Sequence, residues 1–212
     1  MNVLLDLDGT LTDPRIGIVE SIRHALQQLG EAEPPEERLL TYIGPPLHAA
    51  FAELLRTDDR GRIDLAVRAY RERYSNQGIY ETSVYAGIPE ALRELSLRGA
   101  RLLVATSKPI AFAKRIIERF DLDSTLDSVW GSELDGTRAD KRELIGHIVA
   151  RTGIDPETTV MVGDRKHDAL GATSNGILAA GVLWGYGSED ELRAAGCTIL
   201  LQTPRDLAKL AI

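Results

Sequence analysis

Short apolar runs alternate with longer amphipathic stretches along the chain. Five runs have the length of buried strands: NVLLDL at 2–7, RLLVATS at 101–107, SVWG at 128–131, TTVMVGD at 158–164 and ILAAGVLW at 177–184. Gly87 and Pro89 mark the start of a predicted helix that ends before Gly99, and Pro109 marks the start of another that continues to Phe120. Apolar strands separated by helices are typical of a parallel sheet covered on both faces, so the pattern predicts a doubly wound α/β core.

The segment from Pro14 to about Val84 interrupts this alternation, because it contains helical patterns and no convincing strand. Asp13 and Pro14 are predicted to be the cap and the first residue of a helix that ends before Gly30. Two more helices are predicted at 47–55 and 63–74. We therefore predict an α/β core formed by residues 1–13 and 85–212, and a helical cap domain formed by residues 14–84.

Composition and charge limit the partners. The chain has 212 residues, of which 43% are hydrophobic, enough to fill the core of a mid-sized domain with an insert. A net charge of −7 and an isoelectric point near 5.2 argue against nucleic acid or an anionic membrane as a partner. The sequence shows no export signal and no membrane-spanning run, and its single cysteine, Cys197, rules out an internal disulfide. We expect a cytoplasmic monomer or homodimer that acts on a small molecule.

Polar residues follow the ends of four predicted strands. Asp6 and Asp8 follow the first strand, Thr106, Ser107 and Lys108 the second, Lys141 comes after the third, and Asp164 and Asp168 follow the fourth. Parallel α/β sheets bind ligands at the carboxyl ends of their strands, so these residues are predicted to converge on one site. Carboxylates, ammonium groups and hydroxyls in this combination suit an anionic substrate held together with a divalent cation.

The opening LLDLDGT has a physical explanation on this basis. A carboxylate that attacks phosphorus must lie at a rigid strand end, as Asp6 does, and Asp8 can give and take a proton if the loop turns it back. Gly9 permits that turn. Crowded carboxylates repel one another and take up protons unless a cation neutralises them, and Mg2+ prefers hard oxygen ligands. The acids therefore predict Mg2+ as the cofactor.

The strings DLDGTLTD, TSK, the lysine at position 141 and GDRKHD together resemble the four ordered motifs of the haloacid dehalogenase superfamily. The helical insert is similar to the type-one cap of the phosphoglycolate phosphatase and β-phosphoglucomutase branch. The resemblance implies that Asp6 is the nucleophile, which forms an aspartyl phosphate, and that Asp8 is the general acid and base. It implies that Thr106 and Lys141 bind the phosphoryl group. The residues that it implies for Mg2+ are Asp6, Asp8 through its backbone carbonyl, and Asp164, with Asp168 close by.

Two departures from the family pattern leave the substrate open. Lys141 lies in Arg-Ala-Asp-Lys-Arg and is not followed by proline, and Arg165 stands where a small serine is frequent. The strings SELDGTR, YIGPPL and WGYG look more like a subgroup of phosphoglycolate phosphatase-like proteins and 5'-nucleotidases. The expected substrate is therefore a small phosphorylated metabolite, either phosphoglycolate-like or a 5'-nucleotide.

Other residues are candidates for substrate contact. Ser107, Lys108 and Arg165 are assigned to substrate binding because they lie beside the predicted site, although Arg165 could equally belong to a solvated helical turn. Gly44 and Pro45 belong to a stiff cap loop, YIGPP, for which an ordinary helix–helix turn is the alternative. Residues 135–136 are predicted to form a turn, and residues 184–187 a loop that leaves a strand.

Three rival functions remain beside the phosphatase. A phosphomutase would return the phosphoryl group to a sugar instead of water. A binding or regulatory protein could keep the fold without turnover, but it would have no need of Asp6. A dehalogenase would need neither Asp8 nor the metal, so it is the least favoured.

Overall fold

The apolar runs form one parallel sheet in the computed structural model, which describes residues 1–210. Its six strands lie in the order β5-β4-β1-β6-β7-β8. Their bounds are β1 Asn2–Leu5, β4 Arg101–Pro109, β5 Ser128–Ser132, β6 Thr159–Gly163, β7 Leu178–Val182 and β8 Ile199–Leu201. Helices alternate with these strands along the chain, so the predicted α/β fold class is confirmed.

β1 lies in the interior of the sheet, and its register positions the residues that follow it. Leu5 pairs with Val104 of β4 on one side and with Val162 of β6 on the other. The backbone N–H of Asp6 donates to the carbonyl of Val162 at 2.9 Å. The residues that follow β1, β4 and β6 therefore leave the sheet at the same edge, which is where ligands of parallel α/β folds bind.

Five α-helices accompany the sheet. They are α5 Ile88–Leu97, α6 Ile110–Arg119, α7 Lys141–Thr152, α8 Lys166–Thr173 and α9 Glu189–Ala194. Leu4 and Met161 on the sheet pack with Leu144 and Ile148 of α7 in a buried cluster that also includes Cys197. Burial of this apolar surface, at roughly 25 cal/mol per Å², holds the strand ends rigid beneath the polar residues.

The helical insert forms a second compact unit. The first unit combines Met1–Asp13 with the chain from Val84 onwards, and the second is Pro14–Ser83, whereas the sequence placed the second boundary after residue 84. The helices of the insert are α1 Arg15–Gln28, α2 Glu36–Leu40, α3 Leu47–Leu55 and α4 Arg60–Asn76. Its interior is partly aromatic, since the rings of Tyr70 and Tyr74 stack at 5.4 Å and Phe51 meets Tyr70 edge-on at 6.2 Å.

Several local predictions were wrong. Pro14, not Asp13, is the N-cap of α1, which begins at Arg15, and the Asp13 carboxylate accepts a hydrogen bond from Tyr186. β4 continues through Lys108 to Pro109, so the next helix begins only at Ile110. Two short strands were not predicted, β2 Thr12–Asp13 and β3 Ser83–Val84, which pair where the chain enters and leaves the insert. β8 was also missed, because three residues are too few to show a period.

Among residues 1–210, no helix has the length and apolar character that crossing a membrane requires.

Candidate active site

Asp6 and Lys141 form a buried ion pair directly after β1. Oδ1 of Asp6 lies 2.9 Å from Nζ of Lys141, the first residue of α7. The same Nζ donates to the carbonyl of Ala105 at 2.8 Å and lies 2.5 Å from Oδ1 of Asp168. Burial opposes the charge on Lys141, but Asp168 and Asp6 outweigh burial and raise its pKa. The ammonium group is therefore charged and fixed beside Asp6.

Asp8 is paired with Lys108. Oδ2 of Asp8 lies 2.6 Å from Nζ of Lys108, and both side chains are buried. Lys108 lies beside Asp8 because β4 extends to Pro109. The backbone N–H of Lys108 donates to Oγ1 of Thr106 at 3.3 Å. Burial raises the pKa of Asp8, although Lys108 opposes the shift. A raised pKa favours the protonated acid, the form that a proton donor needs.

Asp164 and Asp168 follow β6 and differ in their hydrogen bonds. Oδ2 of Asp164 accepts the backbone N–H of Tyr186 at 2.8 Å. Asp168 uses one carboxylate oxygen for Lys141 and the other for the backbone N–H of Arg165 at 3.1 Å. Burial, reinforced by neighbouring carboxylates, raises the pKa of Asp164 well above its usual value and that of Asp168 to about 6. Both carboxylates are therefore costly to keep ionised without a cation.

The acids fit a divalent cation. One oxygen from each of Asp6, Asp164 and Asp168 lies within 4.8 Å of the others. In the part of the chain that the structure describes, the buried Oδ1 atoms of Asp8 and Asp164 have no hydrogen-bond partner. The four acids outnumber Lys108 and Lys141 by two charges, and carboxylate oxygens are the ligands that Mg2+ prefers. The donor set therefore suits Mg2+.

Glycine is required where the loop after β1 meets Asp164. Gly9 has φ +82°, and a Cβ at this position would lie 2.2 Å from Oδ2 of Asp164. Gly163 is constrained similarly, because its Cβ would lie 2.2 Å from Oδ2 of Asp168. These contacts show that the backbone of β6 and the loop after β1 pack directly on the carboxylates.

The residues predicted to bind substrate differ in their burial and contacts. Ser107 is half-buried beside Thr106, and its backbone carbonyl accepts a hydrogen bond from the hydroxyl of Ser132 at 2.8 Å. Arg165 is buried, and its Nε donates to Oε1 of Glu191 in α9 at 2.9 Å. Gly44 and Pro45 lie between α2 and α3 of the helical unit, where Gly44 has φ +103°. Of the predicted substrate-binding residues, Lys108 contacts Asp8 through its ammonium group and Arg165 contacts Asp168 through its backbone N–H.

Sequence reasoning missed residues 184–187 as part of the site. Besides the bond from Tyr186 to Asp164, the indole N–H of Trp184 donates to the carbonyl of Thr10 at 3.0 Å. The sequence did offer a signal, since Gly185 and Gly187 come shortly after the apolar run that forms β7. That strand ends at the same edge of the sheet as β1 and β6, so the residues that follow it could be expected near the site. By contrast, Asp135 lies in a turn, with its carboxylate accepting the N–H of Thr137 at 2.9 Å.

Comparison with known proteins gives consistent matches. The model of the haloacid dehalogenase-like hydrolases matches residues 3–182. A 5'-nucleotidase from Pseudomonas aeruginosa is 51% identical over 193 residues, covering 91% of this chain and 87% of that protein. The tyrosine-protein kinase PtkA of Mycobacterium tuberculosis is 42% identical, covering 93% of this chain and 67% of that protein. The crystal structure of a predicted phosphatase from Clostridium acetobutylicum superposes with a TM-score of 0.94 at 36% identity, covering 98% of this chain and 96% of that one.

Proposed function

The chain belongs to the family of haloacid dehalogenase-like hydrolases and is a phosphoric monoester hydrolase, and on that premise we propose that it hydrolyses a small phosphomonoester with Mg2+ through an aspartyl phosphate on Asp6. One observation carries the proposal. Asp6 lies buried at the end of an interior strand, 2.9 Å from Lys141 and within reach of the same cation as Asp164. A fixed carboxylate beside fixed positive charge suits nucleophilic attack on a phosphate ester.

Asp6 and Asp8 carry the two chemical steps of the proposal. A carboxylate oxygen of Asp6 bonds to phosphorus while the bond from phosphorus to the leaving oxygen breaks, and Asp8 gives that oxygen a proton. The alcohol departs and the phosphoryl group stays on Asp6 as an acyl phosphate. Asp8, now anionic, takes a proton from water as the water oxygen attacks phosphorus. Inorganic phosphate leaves and Asp6 is restored.

In the proposal the remaining residues bind the cation, orient the phosphoryl group and position Asp8. Asp6, the backbone carbonyl of Asp8 and Asp164 would hold Mg2+, with Asp168 close by. When bound, Mg2+ supplies positive charge that offsets the phosphate oxygens and the acids around them. Hydrogen bonds from Thr106 and Ser107 orient the phosphoryl group, and Lys141 balances its charge. Lys108 keeps Asp8 in place through the 2.6 Å ion pair.

A nucleoside 5'-monophosphate is the first substrate candidate. The relative that carries the name 5'-nucleotidase shares half of its residues with this chain, 51%. Phosphoglycolate is the second candidate, from the resemblance of the motifs. The alternative to hydrolysis is transfer of the phosphoryl group to an acceptor other than water. A phosphomutase would transfer it to a sugar, and the name of the PtkA relative suggests transfer to tyrosine. The experiment must distinguish transfer from hydrolysis.

Phosphate release tests the proposal. The panel would contain nucleoside monophosphates, phosphoglycolate, sugar phosphates, phosphotyrosine and pyrophosphate, each with Mg2+ or with EDTA. We expect Mg2+-dependent release of inorganic phosphate, fastest from a nucleoside monophosphate. A phosphorylated sugar or peptide product without free phosphate would favour the transferases, and full activity in EDTA would contradict the metal.

Asp6→Asn tests the nucleophile, because the amide keeps the size of the side chain but is a feeble nucleophile. We expect this variant to fold and to release essentially no phosphate. Retention of more than about a tenth of wild-type turnover would contradict the covalent route, because loss of general acid–base assistance alone typically costs ~10²-fold or more and loss of the nucleophile should cost at least as much.

A further inference from the structure

Residues 184–187, which follow β7, pack directly against Asp164. The N–H of Tyr186 donates to Oδ2 of Asp164, and a Cβ at Gly185 would lie 2.3 Å from Cβ of Asp164 and 2.4 Å from the carbonyl oxygen of Gly9. A Cβ at Gly187 would lie 1.9 Å from the carbonyl oxygen of Asp164. Neither glycine has a positive φ, so both are required for space rather than for a special backbone conformation.

Both ends of this segment are anchored. On the sheet side, the N–H of Leu183 donates to the carbonyl of Leu201 at 3.0 Å, which continues the pairing of β7 with β8. On the site side, the indole of Trp184 donates to Thr10 in the loop after β1. The backbone N–H of Tyr186 is thus held against Asp164 by two separate elements of the core.

The Tyr186 side chain reaches the two points where the chain leaves and re-enters the core. Its hydroxyl donates to Oδ1 of Asp13, the last residue before the insert. The same hydroxyl is hydrogen-bonded with Tyr85, which follows the first core residue after the insert, Val84. One residue therefore contacts Asp164 through its backbone and both chain connections through its side chain.

We propose that Tyr186 is a positioning residue that orients Asp164 for Mg2+ and couples this carboxylate to both chain connections of the helical insert. The inference rests on the proposed function, because it assumes that Asp164 holds Mg2+. With Oδ2 fixed by the N–H of Tyr186, Oδ1 of Asp164 is buried without a hydrogen-bond partner among the described residues and is available to a cation.

The hydroxyl of Tyr186 can be removed without removing the backbone N–H. In Tyr186→Phe the loop loses its anchor on Asp13, so Asp164 spends less time in the orientation that binds the cation. The loss of one charge-assisted hydrogen bond corresponds to a Kd for Mg2+ raised about tenfold. At saturating Mg2+ the turnover of the variant should return close to that of the wild type, because Tyr186 does not touch the reacting atoms.

Isothermal titration of the full chain with Mg2+ alone tests the proposal. The variants are Tyr186→Phe, Asp13→Ala and their combination, with Tyr80→Phe as the control, since Tyr80 is an exposed tyrosine of the insert. We expect each of the two single variants to weaken Mg2+ binding about tenfold, the combination to weaken it no further, and Tyr80→Phe to bind like the wild type. Gly185→Ala should bind Mg2+ more weakly than any of them, because the added Cβ displaces the loop.

Two further measurements separate positioning from stability. A purely structural hydroxyl would lower the melting temperature in EDTA and leave the Kd for Mg2+ unchanged, and that result would overturn the proposal. Mg2+ should also slow amide exchange around residues 11–13 and 83–87 in the wild type and much less in Tyr186→Phe, and equal protection in both would overturn the coupling. If the wild type binds no Mg2+, the proposed metal site itself fails, whereas normal wild-type binding with an unchanged Tyr186→Phe overturns only the positioning role.

Discussion

At the scale of single residues, four buried aspartates at one edge of the sheet have four different environments. Asp6 faces Lys141, Asp8 faces Lys108, and Asp168 shares Lys141 and the N–H of Arg165. Asp164 has only a backbone N–H from Tyr186 among the hydrogen bonds described for its carboxylate. Because environment rather than residue type sets the behaviour of a carboxylate, we expect the four to differ in the roles that the proposed function gives them.

Asp8→Asn should separate the two chemical steps. An activated aryl phosphate has a leaving group that needs no proton, so Asp6 should still be phosphorylated, whereas release of the phosphoryl group to water needs the base that is now missing. We expect phosphoenzyme to accumulate, visible as one added phosphoryl group in the intact mass after acid quenching. Asp6→Asn is the control and should show none. An Asp8→Asn protein that never becomes phosphorylated would contradict the assigned roles.

Asp164→Asn and Asp168→Asn should differ in their demand for Mg2+. Both oxygens of Asp168 are already engaged, whereas Oδ1 of Asp164 is available, so Asp164→Asn should raise the Mg2+ concentration for half-maximal activity more. We expect about tenfold or more for Asp164→Asn, the scale of losing a charged ligand interaction, and a smaller shift for Asp168→Asn. The measurement is phosphate release across an Mg2+ titration, and equal shifts would indicate direct ligation by both residues.

At the scale of elements, strand ends were easier to predict than loops. Asp6 and Asp164 each follow an apolar run, and the rule that parallel strands end at one edge brings them together without any knowledge of the loops. The exact end of β4 was not predictable, because the sequence shows Pro109 as a helix start while the pairing of Pro109 with Ser132 keeps it in the strand. That extension buries Lys108 beside Asp8.

The loop between α2 and α3 is the element where we expect substrate choice to be decided. In the proposed function the residues at the edge of the sheet bind the phosphoryl group, which all substrates share, so we expect the insert to discriminate between leaving groups. Gly44 has φ +103°, and a β-branched side chain there would distort the loop. We expect Gly44→Val to reorder the substrate panel and to slow the best ester far more than a small aryl phosphate.

Gly30→Val is the matched control for this loop. Gly30 lies in the same unit and also has a positive φ, +70°, and a Cβ there meets nothing within 4 Å, so Gly30→Val introduces backbone strain into this unit outside the loop. Gly30→Val should leave the order of substrates unchanged. If both variants lower all rates equally, instability explains the loss, and if Gly44→Val changes no rate, the loop has no part in selection.

At the scale of the whole molecule, long-range contacts set the limit of what the sequence could predict. The order of the apolar runs was sufficient for the α/β class and for the helical insert after β1. The bond between Tyr186 and Asp13 joins residues 173 positions apart, and the bond from Tyr186 to Asp164 uses a backbone N–H that every residue except proline offers. The first contact needs a tyrosine and an aspartate, but nothing in the sequence pairs two residues so far apart, and the second contact is independent of residue type, so only the folded chain reveals them.

Stability of the whole molecule should depend on pH and Mg2+ together. The pKa of Asp168 is raised to about 6 from 3.8, and the pKa of Asp164 is raised in the same direction, in both cases chiefly by burial. Groups with a raised pKa bind protons more tightly in the folded state. Their favourable contribution is therefore fully present below the unfolded pKa. The contribution of Asp168 is lost as the pH rises through about 6, and that of Asp164 is lost as the pH rises through its own raised pKa.

Melting temperatures in EDTA and in Mg2+ test this linkage. Because Mg2+ binds the ionised carboxylates, its stabilisation should be small near pH 5 and large near pH 7. At a Mg2+ concentration of about 100 Kd the binding contributes about 2.7 kcal/mol, which corresponds to roughly 5–10 °C for a protein of this size. Asp164→Asn should lose most of this rise while melting no lower than the wild type in EDTA, since it removes a buried charge that has no cation to balance it. A rise that is the same at both pH values would mean that Mg2+ stabilises the protein at acids other than these.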